Sequence, residues 1–65
     1  MRRLYRTEIL EMKLSEIFDS KVKFRNPKTG RINIGEIHAI YKDYVKIVSL
    51  KGLLHRVEWI NLYRY

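Results

Sequence analysis

Between Gly30 and Val48 apolar and polar residues alternate: Ile32 and Ile34, then Ile37 and Ala39, with Gly35 between the two pairs. A polar turn at Tyr41-Lys42-Asp43-Tyr44 leads into a third run at Val45 and Ile47. A period of two is the mark of strands that bury one face. A glycine inside such a pattern marks a bend or bulge, where a short strand curls. A bent central strand followed by a hairpin closes a small barrel on few residues, and this stretch predicts such a barrel.

The flanks supply the other elements. From Thr7 to Asp19 the apolar residues Leu10, Leu14, Ile17 and Phe18 fall at i, i+4, i+7 and i+8, which predicts one helix over 7–19 with Thr7 as its N-cap. Glu8 and Glu11 lie in its first turn, where they complement the helix dipole. The stripe is expected to cover the open end of the barrel. Residues 1–6 form a basic, loosely held arm, and 7–65 one domain. Lys21–Arg25 alternates strictly, with Val22 and Phe24 on one side and three cations on the other. Asn26-Pro27-Lys28-Thr29-Gly30 is a turn, because Pro27 fixes φ and Gly30 tolerates positive φ. Val45–Leu50 is a strand, Lys51-Gly52 a second hairpin turn, and His55–Tyr63 a closing strand kinked near Ile60, where the alternation changes phase. The count is five short strands, with Phe18, Phe24 and Trp59 in the core.

A chain of 65 residues without cysteine has no disulfide or thiolate metal site to supplement its small core. No apolar run is long enough to span a bilayer, and acidic residues interrupt any leader-like stretch after Arg2-Arg3, so a cytoplasmic protein is expected. The net charge of +7 is unevenly spread. Residues 1–6 carry +3; Lys13 against Glu8, Glu11, Glu16 and Asp19 leaves −3 in residues 7–20. Ten basic residues against Glu36, Asp43 and Glu58 leave +7 in residues 21–65. The excess therefore sits on the strand-rich part, where it suits nucleic acid or an acidic protein, or serves solubility alone.

Lys21, Lys23, Arg25, Lys28 and Arg31 are five cations in eleven residues with no acid among them. Such a row tracks phosphates. It also suits an edge strand protected against aggregation. Tyr41 and Tyr44 flank a turn, and Tyr63 and Tyr65 bracket Arg64, positions from which rings stack on bases or pack with the hydroxyl outward. No catalytic set emerges. His38 and His55 lack metal-ligand spacing, the serines lack a base, and there is no glycine-rich phosphate loop. His55, Arg56 and Glu58 read as three outward strand residues. No enzyme, metal or cofactor is expected.

The order helix, bent strand, hairpin, closing strand resembles the Sm-like fold, and most closely the bacterial Sm-like RNA chaperones. Thr29-Gly30-Arg31-Ile32-Asn33-Ile34-Gly35-Glu36-Ile37 keeps the family's glycine spacing, and Asp43-Tyr44-Val45 looks like its Asp-x-aromatic-Val. The resemblance covers residues 8–63 and implies a helix preceding a five-stranded, strongly bent barrel. Where the family has the Tyr-Lys-His of its uridine pocket, this chain has Glu58-Trp59-Ile60, so that site is not carried over. SH3-like, KOW and YolD-like barrels share the glycine-x-Ile and hairpin pattern.

The combined expectation is a mainly β (α+β) chain that binds nucleic acid without catalysis, RNA before DNA. Lys21, Lys23, Arg25, Lys28 and Arg31 would contact phosphate, with Tyr41 and Tyr44 as stacking platforms. An Sm-like fold implies homo-oligomers paired through strand edges at 45–50 and 57–62. The competing expectation is a protein-interaction module or inhibitor that docks on an acidic partner, with Trp59, Leu62 and Tyr63 as its contact surface.

Overall fold

A computed structural model describes residues 1–65. Two short helices, α1 (Arg6–Leu10) and α2 (Leu14–Asp19), precede five strands: β1 (Lys21–Arg25), β2 (Ile32–Ile40), β3 (Tyr44–Ser49), β4 (Leu54–Glu58) and β5 (Leu62–Arg64). A three-residue 3-10 turn, Trp59–Asn61, joins β4 to β5. All strands belong to one antiparallel sheet in the order β4-β3-β2-β1-β5. No helix is long and apolar enough to cross a membrane.

β2 is the strand on which the sheet turns. Its first half, Ile32–Glu36, pairs with β1, and its second half, from Gly35 onward, pairs with β3. Gly35 stands where the two pairings overlap. A Cβ there would collide with the Val48 carbonyl and lie 2.7 Å from Ile47 Cγ2, so close backbone approach requires glycine. A register shift between Ile37 and Ala39 adds a bulge, and with it local twist. The link between β4 and β5 shows how far the sheet curls. A flat five-stranded sheet would hold its edges about 19 Å apart at ~4.8 Å per strand. Four residue steps from Glu58 to Leu62 reach at most about 14 Å even when fully extended. At that end the two edges must approach.

Period two delivers the core. Val22, Phe24, Ile37, Val45, Ile47, Val57 and Leu62 are buried, joined by Ile17 of α2, Ile9 of α1 and Leu4. His55 belongs to the same interior: it is buried, with its ring centroid 5.4 Å from that of Phe24. It is thus an inward residue, unlike its neighbours Arg56 and Glu58, which the alternation of β4 turns outward.

Several expectations are corrected at the ends of the chain. The single helix over 7–19 is two helices, because Lys13 is extended (φ −69°, ψ 147°) and α2 restarts after it. The N-cap is Tyr5, not Thr7, and its N–H donates to Glu8 Oε1 at 3.4 Å. The buried helical residues are Ile9 and Ile17, whereas Leu10, Leu14 and Phe18 of the expected stripe are exposed. In one straight helix, residues eight apart point about 80° away from each other. The break lets both isoleucines reach the core. Arg2–Leu4 is not loose: Arg3 bridges Tyr63, the Leu4 N–H donates to Leu62 O, and the Arg64 N–H donates to Arg2 O. The closing segment is divided at Trp59–Asn61, which leaves Ile60 exposed and Trp59 only partly buried. Five strands remain the count because β2 is continuous.

Candidate functional site

Alternation along β1 sets Lys21, Lys23 and Arg25 on the face opposite Val22 and Phe24. The Tyr65 ring lies beside this row, 5.9 Å from Lys21 Nζ and 5.8 Å from Lys23 Nζ. Arg25 differs from its neighbours: its Nη1 donates to Gly30 O at 2.7 Å and braces the turn. Lys28 and Arg31, on and just after that turn, are exposed. None of the five is ion-paired. The one ion pair joins Arg64 to Glu8. Glu36 stands opposite Lys21 in the β1–β2 register without forming a pair.

Tyr41 and Tyr44 come together at the far end of the sheet, their centroids 4.6 Å apart and their planes 21° apart. Because Lys46 is registered opposite Arg56 and Tyr44 opposite Glu58, Arg56 reaches diagonally across to Tyr44. Its guanidinium sits 4.0 Å from the Tyr44 ring centroid, and Lys46 Nζ is 5.8 Å from that of Tyr41. Tyr44 is therefore enclosed between an arginine and a second ring, while Tyr41 at 41% exposure is the end of the stack. The adjoining turn is held by the Trp59 indole, whose Nε1 donates to Tyr41 O at 3.2 Å and to Lys42 O at 3.1 Å.

Arg25 of the β1 row and Arg56, whose guanidinium lies over Tyr44, line one open concavity with Asn26, Glu58 and Asn61. Acids are densest on the helical segment, with Glu36, Asp43 and Glu58 on the sheet and its turn. Glu8, Glu11 and Glu16 line a separate groove on the helical side, closed by Arg64. Lys46, Arg56 and Tyr65 are the members of this surface that the sequence reading left out of the site. The alternation of β3 and β4 already put Lys46 and Arg56 outward, but only the strand register sets them over the tyrosines.

Not every residue singled out in the sequence lies where it was expected. His55 faces inward while Arg56 and Glu58 face outward, so the three share no site. No cluster of three histidine, aspartate or glutamate side chains is placed to hold a metal ion. Leu62, expected in a docking surface with Trp59 and Tyr63, is fully buried. Neither a family model, a curated protein nor a solved structure matches the chain.

Proposed function

We propose that this chain is a non-catalytic nucleic-acid-binding protein on a small curled barrel of the Sm-like or SH3-like type, with single-stranded RNA preferred to duplex DNA. The barrel reading is supported by one sheet whose edge strands, β4 and β5, are joined by three residues. The functional reading is carried by one observation: Lys21, Lys23, Lys28 and Arg31 have no carboxylate partner, and the first two stand beside the Tyr65 ring. Unpaired cations keep their counterions, and their release drives binding to phosphates. Tyr41, the open end of a stack, offers a ring face to an unpaired base. Arg25 and Arg56 add charge between the two regions.

Fluorescence anisotropy with labelled U-rich RNA, A-rich RNA and a random duplex DNA, each at several salt concentrations, tests the reading. Contacts from four cations to a single strand give a slope of log affinity on log salt of roughly −3. Lys21→Glu with Lys23→Glu should abolish most binding at moderate salt while leaving the fold intact. Unchanged affinity in that variant removes the β1 row from the account. The second reading, a module that docks on a protein, is favoured by three exposed leucines at the β3–β4 hairpin, Leu50, Leu53 and Leu54. Binding of that kind is weakly salt-dependent and would be lost in Leu53→Ser.

A further inference from the structure

A second concavity lies between the β1–β2 turn and the β3–β4 turn, and its polar lining has an unusual bias. Thr29, Arg31, Asn33, Ser49 and Lys51 line it, together with His55, whose small remaining exposure opens there. Three of these side-chain oxygens already accept a hydrogen bond within the chain. Thr29 Oγ1 accepts from the Arg31 N–H at 3.2 Å, Ser49 Oγ accepts from the Leu53 N–H at 3.2 Å, and Asn33 Oδ1 accepts from Asn26 Nδ2 at 3.0 Å. Each oxygen keeps one further lone pair, but donors and positive charge prevail: two hydroxyl protons, the Asn33 amide N–H groups, the Arg31 guanidinium and the Lys51 ammonium. His55 makes no side-chain hydrogen bond within the chain, and in either neutral tautomer it carries one N–H donor and one acceptor nitrogen. No carboxylate lines the concavity.

From this geometry we propose that the concavity is a phosphate-binding site, filled by a phosphoryl group whose oxygens accept from both turns and from the floor. A metal cation would meet two positive charges and no carboxylate. A neutral nucleobase edge would leave the Arg31 and Lys51 charges without a counter-charge. A planar carboxylate would meet fewer of the donors than a tetrahedral group, because they come from two turns and the floor between them. Ile34, Leu50 and Leu53 complete the rim, and the exposed faces of the two leucines suit a sugar or base attached to the phosphate. The site depends on the nucleic-acid reading for the source of its phosphate, a strand's internal phosphodiester or its terminal monoester, but not for its chemistry.

The test follows the NMR signals of Asn33, Ser49 and His55 in the full chain during titration with inorganic phosphate, with acetate at equal ionic strength as control. Anisotropy with one single-stranded oligonucleotide, with and without a 5′-phosphate, is measured in parallel. Phosphate is expected to shift all three residues saturably and acetate is not. Asn33→Asp keeps the acceptor for the Asn26 amide but replaces the donor with a carboxylate, and Lys51→Glu alters only an exposed side chain. Each should weaken phosphate binding about tenfold or more, the worth of one charged hydrogen bond. Lys21→Glu should leave it unchanged. Tighter binding of the 5′-phosphorylated strand assigns the site to a terminus; equal affinity, with Asn33 and His55 shifted by both strands, assigns it to internal phosphodiesters. The inference is overturned if acetate matches phosphate, if both variants bind phosphate normally, or if no probe shifts these residues. Oligonucleotides that bind while only Lys21 and Lys23 respond would sink this site and spare the functional reading. Phosphate binding without any oligonucleotide binding would do the reverse.

Discussion

At the scale of single residues, the fold depends on positions where substitution has a named physical cost. Gly35→Ala drives a methyl group into the Val48 carbonyl and the Ile47 side chain. The expected loss is about 1–3 kcal/mol, as for overpacking a tight core, read from the midpoint of urea unfolding. Gly30→Ala meets no neighbouring atom, and its cost comes only from φ of +74°, about 1–2 kcal/mol. Phe24→Ala should cost about 3–5 kcal/mol, which rivals the whole stability of about 3–10 kcal/mol usual for this length. Loss of the cooperative transition is therefore the expected result. Trp59→Phe keeps most of the apolar volume but removes the donor shared by Tyr41 O and Lys42 O. A loss of about 1 kcal/mol is expected, together with loosening of the tyrosine stack that is visible in near-ultraviolet circular dichroism. Gly35 was legible from the sequence as a bend, because an alternating pattern interrupted by glycine has few other readings. The atoms that forbid a Cβ there were not, since they belong to β3.

At the scale of elements, the strands were legible and the helices only partly. β1 and β3 lie within a residue of their expected limits, since alternation and turn residues mark them directly. The helical segment misleads because thirteen residues form a marginal helix on their own and packing decides their path. Leu10, Leu14, Ile17 and Phe18 satisfy helical spacing, yet the core takes Ile9 and Ile17. A pair of substitutions separates the two assignments. Ile9→Ala should cost about 2–5 kcal/mol, whereas Leu14→Ser, at 72% exposure, should fall within about 0.5 kcal/mol of the parent. Equal losses would restore the single-helix stripe.

At the scale of the whole molecule, two arrangements set what the protein can meet. Glu8, Glu11 and Glu16 line one groove on the helical side while the β1 cations are unpaired, so the polyanion of the proposed function would be oriented before contact. The sheet edges are unequal as well. β3 is flanked on both sides, and β5 is covered by Arg2–Leu4, which leaves β4 as the open edge. The association expected through 45–50 and 57–62 finds β3 already flanked, and any pairing through β5 requires the N-terminal residues to leave it. Deletion of residues 1–4 should therefore raise the mass measured by light scattering relative to the full chain. An unchanged mass would show that the N-terminal segment does not guard that edge.

The sequence by itself determined the elements whose information is local: a mainly β chain, the turns at Asn26–Gly30 and Lys51-Gly52, the bend at Gly35, and the outward cations of β1. Period two and turn chemistry act over a few residues, so no distant partner is needed to read them. Tertiary structure alone decided which residues become neighbours across the sheet. It placed Arg56 over Tyr44, Tyr65 beside Lys21 and Lys23, the first residues against β5, and His55 under the donors of two separate turns. These juxtapositions follow from strand register and sheet curl, which are fixed by the packing of a shared core rather than by any segment's own preferences.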